Sequence, residues 1–515
     1  MPVIDVAKFD LERLVGLRFE EIVKLLEYVK CEIEEDVGER VRLEVTHDRP
    51  DHFSAEGLAR TLKGVAGVET GLPVVSLTTS SVKLVADYIE ERPYISMAVV
   101  RDVALDDEAI RQLIQLQEKL HETYGRGRRK IAIGFYDVSK IKPPIRYTRV
   151  SQYDEYTPLG FTSPIPIREM YEKTEQGRKY SQLINRENPP ALIDAAGQIM
   201  VVVPVLGSEC CKITEKTRAV LIDVTGTDLQ AVSNAMSVLI YALIERSRSK
   251  EVEIVEGGNT YVHRYTRIKV SKEDVENLLG MRMRQEEFER YLGKARLGYE
   301  AGEAVAPPYR INMLSWVDVA EEVAIMLGYN NLPLETPPIF TAGRRHKTEI
   351  FTEELRKTLL AMGFAEVNNY VLTSGVVTAF CKPATVLNPI SELYDTVRCS
   401  IIPQLIATAA LTRRKEVKLF EVGDVVREGR TRRTLTLLIS REGATLTDGL
   451  SVVKTLCRLH GLTCEIGPTA AEWALPNRSA AVRGDVEGYV AEVNPQILLS
   501  LGYTVPTVVA ELFVD

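Results

Sequence analysis

A proline-rich segment divides the chain at residues 331–340, where the sequence reads NLPLETPPIF. A segment of this composition is typical of a linker between folded parts. The chain has 515 residues, which is too many for a single hydrophobic core. The sequence therefore predicts three or four domains, with one boundary at this linker.

The composition is that of an ordinary folded protein, with 45% hydrophobic and 26% charged residues. The net charge is −8 and the pI is about 5.6. A protein that depends on non-specific nucleic-acid binding would be basic, because neutralised phosphates supply most of that affinity. Any RNA contact is therefore expected to be local, or to be made by a partner.

The N-terminus and the cysteines bear on where the protein works. No stretch approaches the roughly 20 apolar residues of a membrane span, and Asp5 comes too early for a signal peptide, so a cytoplasmic protein is expected. Seven scattered cysteines without repeated C-x-x-C spacing argue against both a disulfide framework and a zinc ribbon. Cys457, His460 and Cys464 lie close in sequence, but a fourth metal ligand is missing nearby, so core or surface roles are favoured.

Local patterns divide the chain into four regions and predict a multidomain protein of the α/β and α+β classes. Residues 1–80 read as a small α/β domain, 82–255 as a larger α/β domain, 258–335 as a compact third domain, and 341–515 as a last α/β domain.

The second region carries the clearest elements. AVLIDVTG (219–226) is predicted to be a strand, and Asp228 to cap the helix that follows. A further helix is predicted to begin at Asp106-Asp107. The apolar stripes of these helices are Leu229, Val232, Met236, Leu239, Ile240 and Leu243, and Ile110, Leu113, Ile114 and Leu120. Other predicted elements are strands at 41–45, 130–135, 417–426 and 434–440, and helices at 10–14, 20–29, 272–279, 317–327 and 352–362.

Three carboxylates share one face of a predicted helix in the third region. Asp318, Glu321 and Glu322 have the spacing i, i+3 and i+4, at which like charges repel. A hard cation such as Mg²⁺ would relieve that repulsion. The alternative is a solvated acidic face at a helix N-terminus, where acidic residues are favourable anyway.

Four separated segments resemble the β subunits of phenylalanine–tRNA ligase of the archaeal and eukaryotic type, in that family's order. The first contains DRPD…S…GLAR within residues 44–64. The others are LQEKLHETYGRGRRKIAIGFYD (116–137) with KITEKTRAVLIDVTGTD (212–228), YRINMLSWVDVAEEVAIMLGYNNLP (309–333), and the set GFAEVNNYVLTS (363–374), LNPISELYDTVRCSIIPQL (387–405) and FEVGDVV (420–426).

The resemblance implies a non-catalytic subunit of a ligase. Such a β subunit works in an α₂β₂ heterotetramer on tRNA(Phe), beside an α subunit that binds ATP and carries the aminoacylation site. Its domains would be an N-terminal domain, an editing-type (B3/B4) tRNA-binding domain, a small helical or winged B5-type domain, and a class II synthetase-like antiparallel-sheet domain without catalysis. The segments around Arg398 and Glu421 look like that degenerate site. Glu421 and Asp424 are interpreted as strand-end charges rather than metal ligands.

The resemblance also implies a magnesium site in the third region. The matching positions are Asn312, Asp318, Glu321 and Glu322. Asn312 stands where the family usually has Asp, which keeps an oxygen ligand but removes one negative charge.

In the family, the second domain hydrolyses tRNA(Phe) that carries tyrosine. The motif match places Gln117, Arg128, Asp223 and Thr225 in that pocket. The alternative for the segment 225–228 is that it only turns and caps the next helix, which is preferred for Thr227 and Asp228. The facing stretch departs from the family pattern, with Val201 in place of a polar residue and Gly207 in place of Asn, and an apolar wall would weaken recognition of a hydroxyl.

A basic run beside this pocket is the best candidate for contact with tRNA phosphates. It comprises Arg126, Arg128, Arg129 and Lys130. Two other functions stay open from the sequence: a stand-alone deacylase of mischarged tRNA, and a scaffold without enzymatic activity.

Overall fold

The structure, a computed structural model, describes residues 2–375 and 380–514. Met1 and Asp515, the outer limits of the first and last predicted domains, lie outside the described residues, as do residues 376–379. The chain forms two compact units, Met1–Thr336 and Pro337–Asp515. Their boundary lies inside the predicted linker, which confirms that prediction. Among the described residues, no helix combines the length and apolar character needed to cross a bilayer.

The first region of the N-terminal unit is a three-stranded antiparallel sheet covered by helices. The predicted strand at 41–45 and the helix at 10–14 are confirmed, whereas the helix predicted at 20–29 breaks into Phe19–Val23 and a 3-10 turn, Leu26–Val29. The elements are strands Val3–Ala7, Glu32–Val37 and Arg40–Glu44, and helices Lys8–Val15, Phe19–Val23 and Ala55–Ala66.

The second region is built on a mixed nine-stranded sheet, counted over the described residues. Strand Ser76–Ala86 lies parallel to Glu251–Glu256, so the boundary predicted at 80–82 falls within a strand. In sheet order the strands are Leu206–Gly207, Ile199–Val202, Pro190–Ile193, Ile145–Arg149, Ser76–Ala86, Glu251–Glu256, Tyr94–Arg101, Ala219–Gly226 and Ile131–Asp137. Short helices Ile167–Lys173 and Glu175–Tyr180 and a small two-stranded sheet, Glu155–Tyr156 with Ile165–Pro166, complete it.

Two long helices of this region, Asp107–Glu122 and Leu229–Ile244, begin where the sequence predicts. Asp106 and Asp228 cap them by accepting hydrogen bonds from backbone N–H groups three residues on. Their apolar stripes pack into the core, with two exceptions. Ile114 is 50% exposed and Leu229 is 48% exposed, because Leu229 opens its helix and Ile114 faces a cavity.

The third region is a three-stranded antiparallel sheet with three helices. Ser271 caps the first helix and Ser315 the last, as hydroxyl acceptors for backbone N–H groups. The elements are strands Thr266–Lys269, Gly298–Glu300 and Glu303–Ala306, and helices Lys272–Leu279, Gln285–Lys294 and Trp316–Leu327.

Buried arginines join the three regions, which share one hydrophobic core. The Arg60 guanidinium donates to the carbonyl oxygen of Tyr241 at 2.8 Å and lies 3.9 Å from the ring centroid of Tyr309. Each of these three residues comes from a different region of the sequence. The regions therefore fold against one another rather than as separate bodies.

The C-terminal unit is built on a seven-stranded sheet in the part of the chain described, antiparallel except at one edge pair. The predicted strands at 417–426 and 434–440 are confirmed, and the helix predicted at 352–362 begins five residues earlier, at Lys347. In sheet order the strands are Ala365–Glu366, Val417–Arg427, Arg430–Ser440, Thr507–Phe513, Glu487–Val493, Ala474–Gly484 and Cys464–Pro468. Helices Lys347–Ala361, Ile402–Thr412, Leu446–Leu459 and Pro495–Ser500 and a small sheet of Leu372–Thr373, Thr396–Val397 and Ala384–Thr385 surround it.

The argument against disulfides was wrong for this unit. Cys381 bonds to Cys399, and Cys457 bonds to Cys464. The second bond joins the C-terminal end of a helix to the edge strand beside it. Cysteine spacing could not reveal either pair, because the fold rather than the sequence separation brings the thiols together. The metal alternative for Cys457, His460 and Cys464 is excluded by the same bond.

Candidate functional site

A cavity of about 390 Å³ opens on the sheet of the second region. Its floor is formed by strands Ile131–Asp137 and Ala219–Gly226, and its walls by helix Asp107–Glu122 and residues 201–209. The floor is the face of the sheet opposite Ile222 and Val224, which pack into the main core with helix Leu229–Ile244. The cavity brings together all four residues assigned to the pocket from the sequence: Gln117, Arg128, Asp223 and Thr225.

Asp223 is a buried carboxylate on the floor of the cavity. Burial raises its pKa to about 7, against the opposing effects of a hydrogen bond from Tyr136 and the charge of Arg92. The Tyr136 hydroxyl donates to Asp223 Oδ1 at 2.6 Å. Tyr136 is not among the residues assigned to this pocket from the sequence. The strand predicted at 130–135 stops one residue short of Tyr136, whereas the observed strand Ile131–Asp137 includes it and places it on the same face as Gly134.

Thr225 lies two residues beyond Asp223 on the same face and is fully buried. Its hydroxyl oxygen has no hydrogen-bond partner among the residues that the structure describes, although the side chain lines the cavity. A buried hydroxyl without a partner costs free energy, so this group is available to a ligand. Asp228, in contrast, caps the next helix, which confirms the structural alternative for that residue.

Gln117 and Arg128 shape the wall rather than project freely into the cavity. The Gln117 amide donates to the carbonyl oxygen of Ile133 at 2.7 Å. Arg128 donates to the carbonyl oxygens of Pro204 and Val205 at 3.1 and 2.9 Å. Arg128 thereby fixes the segment that closes one side of the cavity.

Glu118 and His121 form a charged group behind this wall that the sequence analysis missed. Arg128 donates to Glu118 Oε1 at 2.8 Å, and His121 Nδ1 lies 3.2 Å from the same oxygen. Burial opposes ionisation of Glu118, but His121 and Arg128 outweigh it and lower the pKa of Glu118 to about 2. Burial lowers the pKa of His121 to about 4, so the imidazole is neutral at pH 7. Their i, i+3 spacing on a predicted helix was the available signal.

The basic run at the rim divides into inward and outward members. Arg126 and Arg129 are exposed, and Lys130 is half-buried with its Nζ 3.7 Å from Asp228. Arg128 is buried and donates hydrogen bonds within the protein, so its side chain is not positioned for the predicted contact with tRNA phosphates. Residues 126, 127 and 128 all have positive φ, between 50° and 63°, and this left-handed turn sends the Arg128 side chain inward.

Val201 and Gly207 pair across adjacent strands, and both line the cavity. Together with Val203, Pro204 and Val205 they give it an apolar wall. The two positions that depart from the family's sequence pattern therefore line the cavity.

The four residues predicted to hold magnesium have other partners. Asp318 accepts from the backbone N–H groups of Leu314 and Ser315, and Glu321 pairs with Lys30 at 2.9 Å. The guanidinium of Arg310 lies between the other two. It donates to Asn312 Oδ1 at 3.1 Å and to Glu322 Oε1 at 2.5 Å.

Sequence spacing does not bring these carboxylates to one point. Within the described residues, no three His, Cys, Asp or Glu side chains lie close enough together to hold a metal ion. As arranged, the predicted ligands do not fit a magnesium ion, because Arg310 occupies Glu322 with its own positive charge. A metal site here would require Arg310 to move.

The C-terminal unit contains a buried ion pair at the position assigned to a degenerate class II site. Arg398 donates to Glu421 Oε1 at 2.6 Å, and Asn369 donates to Glu421 Oε2 at 2.7 Å. Glu421 is therefore not a strand-end charge, which corrects the interpretation from sequence, whereas Asp424 pairs with Arg433 at the sheet surface. An arginine held in this way is not free to clamp phosphate.

Comparisons with known proteins agree over the whole chain. A family model described as "tRNA synthetase B5 domain" matches residues 268–329, and one described as "Phenylalanyl tRNA synthetase beta chain CLM domain" matches residues 332–514. Proteins named phenylalanine–tRNA ligase beta subunit match 100% of this chain. They come from Pyrobaculum aerophilum (68% identical, 100% of that protein covered), Thermofilum pendens (39%, 98% covered) and Methanocaldococcus jannaschii (33%, 100% covered).

A solved structure supports the same relationship for the first part of the chain. The N-terminal fragment of the phenylalanyl-tRNA synthetase beta subunit from Pyrococcus horikoshii aligns with a TM-score of 0.59 at 34% identity. The alignment covers 64% of this chain and 100% of that fragment. The chain belongs to the family of phenylalanine–tRNA ligase β subunits.

Proposed function

We propose that this chain pairs with an α subunit in an α₂β₂ ligase, found in the cytoplasm, that attaches phenylalanine to tRNA(Phe). The α subunit would bind ATP and carry the aminoacylation site. Membership of the family over the full length supports this assignment. The buried Arg398–Glu421 pair also supports it, because a unit whose arginine is held internally needs a catalytic companion. The four predicted domains (1–80, 82–255, 258–335 and 341–515) are proposed as its layout, with the first boundary moved before Ser76.

An apolar surface on the C-terminal unit is proposed to contact the α subunit. It lies on the small sheet and the turn beside it, where the rings of Tyr370 and Tyr394 meet edge to face. Isolated exposed apolar side chains are normal, but a contiguous group of them marks an interaction site. The exposed members are Tyr370, Val371, Leu372, Leu387, Ile390, Leu393 and Tyr394.

Co-purification with the α subunit tests this surface. A charge at Leu393 (Leu393→Asp) should weaken co-purification by at least tenfold, because it would be buried unpaired at the interface. The matched control is Val262→Asp, a similarly exposed apolar residue in the N-terminal unit. Equal retention of the α subunit by both variants would remove this surface from the interface.

The cavity of the second region is proposed to hydrolyse tRNA(Phe) that carries tyrosine. The observation that carries this proposal is that Thr225 and the buried Asp223 line one cavity of about 390 Å³, where the Thr225 hydroxyl has no hydrogen-bond partner in the described part of the chain. A site that hydrogen-bonds the tyrosine hydroxyl can discriminate strongly against phenylalanine, which lacks it.

The reaction would be ester hydrolysis by water. The water oxygen bonds to the ester carbonyl carbon, the bond from that carbon to the ribose oxygen breaks, and a proton passes to the ribose oxygen. Asp223 would accept a hydrogen bond from the tyrosine hydroxyl, and Thr225 would orient the water or the amino group. Gln117 and Arg128 would hold the wall, through Ile133 and the segment 204–205.

Deacylation of Tyr-tRNA(Phe) by the αβ complex tests this activity. Asp223→Ala should lower the rate by on the order of 100-fold, as loss of a key polar group does in other active sites, and Thr225→Val should lower it less. The control Asp36→Ala changes an exposed carboxylate of the first region and should keep the full rate. A rate that is equal in all four proteins would remove the hydrolytic role.

The rim residues Arg126, Arg129 and Lys130 are proposed to hold the acceptor end of the tRNA by phosphate contacts. Replacing Arg126 and Arg129 with Glu should weaken tRNA binding and reduce its salt dependence, since each lost phosphate contact lowers the salt slope. Glu at Arg111, an exposed arginine of the same region, is the control. An unchanged salt slope in the double variant would contradict the assignment.

The magnesium requirement of the family is proposed to be met mainly outside this chain. Asn312, Asp318, Glu321 and Glu322 would hold a magnesium ion only after Arg310 released Glu322.

A further inference from the structure

We propose that Tyr136 is a specificity-determining positioning residue, which holds one oxygen of Asp223 so that the other is presented to the phenol of a bound tyrosyl group. This inference rests on the proposed hydrolysis of a tyrosyl ester in the same cavity. Tyr136 does not touch the reacting atoms in this role. It acts through Asp223.

The bond between Tyr136 and Asp223 occupies a space made for it. Gly134 pairs with Asp223 across the two strands that form the floor. A Cβ atom at Gly134 would lie 2.2 Å from Asp223 Oδ1 and 2.2 Å from the Tyr136 hydroxyl oxygen. Only glycine at this position lets the phenol of Tyr136 cross the strand and reach the carboxylate.

The bond leaves half of the carboxylate unused. In the part of the chain that the structure describes, Asp223 accepts one side-chain hydrogen bond, and it accepts it at Oδ1. Asp223 also lines the cavity. A carboxylate fixed at one oxygen has a defined orientation for the other, which is what a site needs to distinguish a phenol from an unsubstituted ring.

Tyr136 also affects the charge of that acceptor. Burial alone favours the neutral acid, whereas the hydrogen bond from Tyr136 lowers the pKa of Asp223. A negative carboxylate accepts a stronger hydrogen bond from a phenol than a neutral acid does. The titratable or charged groups that face this pair are Arg92 before strand Tyr94–Arg101, Tyr147 from strand Ile145–Arg149, and Cys210 and Cys211 from the adjacent turn.

The test is the pH profile of Tyr-tRNA(Phe) deacylation by the αβ complex, measured from pH 5.5 to 9. In the unmodified chain the rate should rise with pH through a midpoint near 7. Tyr136→Phe removes only the hydroxyl. It should move the midpoint up by about one unit and lower the rate about tenfold below pH 7, with recovery at high pH.

Matched variants separate this effect from general damage. Tyr171→Phe removes a buried hydroxyl that donates to the carbonyl oxygen of Arg186, outside the cavity, and should leave the profile unchanged. Gly134→Ala forces the Tyr136 hydroxyl and Asp223 apart without removing either, and should shift the midpoint in the same direction as Tyr136→Phe. Thermal melting identifies any variant that fails to fold.

A Tyr136→Phe profile that matches the unmodified one overturns the inference. So does a loss of rate that is the same at every pH. If Asp223→Ala abolishes deacylation while Tyr136→Phe has no effect, the proposed function stands and this inference alone fails.

If the unmodified complex does not deacylate Tyr-tRNA(Phe), the proposed function fails, and the role of Tyr136 is decided by binding. The probe is a non-hydrolysable tyrosyl amide of 3′-amino-adenosine, compared with its phenylalanyl counterpart at pH 7. A preference for the tyrosyl probe that falls several-fold in Tyr136→Phe supports the inference, and no preference in the unmodified chain overturns it.

Discussion

Replacing Arg246 by Met should destabilise the N-terminal unit more than any surface substitution. Arg246 is buried and makes three hydrogen bonds to two carboxylates. It donates to both oxygens of Asp10 at 2.7 and 2.6 Å and to Glu56 at 2.7 Å. Asp10 and Glu56 are themselves fully buried. The substitution keeps much of the side-chain volume, so it removes the charge without leaving a large cavity.

The size of the effect follows from what the substitution leaves behind. Removing one partner of a buried ion pair costs about 3–5 kcal/mol, because an uncompensated charge stays in the interior. Arg246→Met leaves Glu56 without its cationic partner, whereas Asp10 keeps its ion pair with the half-exposed Arg13, so about 3–4 kcal/mol is expected. The N-terminal unit spans 336 residues, for which the entropy of unfolding is about 0.7 kcal/mol per kelvin. The melting temperature of this unit should therefore fall by about 4–6 °C.

Calorimetry of the purified chain measures this shift. The control is Arg111→Met, which breaks an exposed pair with Asp107 and should cost less than about 1 kcal/mol. A loss for Arg246→Met that is no larger than that of the control would refute the reasoning, because the Glu56 carboxylate would then be hydrated or repacked.

Reduction of the two disulfides should lower the melting temperature of the C-terminal unit and not that of the N-terminal unit, since closing the loop between Cys381 and Cys399 is expected to stabilise the fold by about 3 kcal/mol. Mass spectrometry after thiol blocking should identify Cys31, Cys210 and Cys211 as the free thiols. Blocking at Cys457 would contradict the assignment. Chelation with EDTA should leave the melting temperature of the isolated chain unchanged, because Arg310 already neutralises Glu322. If EDTA instead lowers the melting temperature by several degrees, and added Mg²⁺ restores it, the metal displaces Arg310. Val201→Ser should raise the ratio of deacylation rates for Tyr-tRNA(Phe) over Phe-tRNA(Phe) several-fold, because it adds a hydroxyl to the apolar cavity wall. Val262→Ser, at an exposed position, is the control. An unchanged ratio in Val201→Ser would show that Val201 does not take part in recognition of the tyrosyl group.

Local pattern was sufficient where one element decides the outcome. Residues 219–226 form the predicted strand, and their side chains point alternately to its two faces. Asp223 and Thr225 therefore lie on the same face. Asp228 caps the following helix because its side chain bonds a backbone N–H three residues on. Neither result needs information from a distant part of the chain.

The side-chain partners that the sequence did not predict come from distant parts of the chain. The spacing of Asp318, Glu321 and Glu322 fixes where their Cα atoms lie on the helix, but Lys30 and Arg310 decide where the carboxylates point. The pair of Cys381 and Cys399 forms because the fold brings these two segments of the chain together. The sequence around Glu421 gives no sign of its partner Arg398, which lies far away in the sequence and is buried against it in the fold.

The Arg60 side chain has a practical consequence for dividing this protein. It reaches from a helix near the N-terminus to the backbone of Tyr241 and the ring of Tyr309. A chain that ended at residue 80 would lack both contacts of the buried Arg60 guanidinium, and one that ended at residue 255 would lack the contact with Tyr309. Shortened chains that end between the three regions should be insoluble or aggregate on expression. Proteases should instead cut within residues 333–346 and release the N-terminal unit whole.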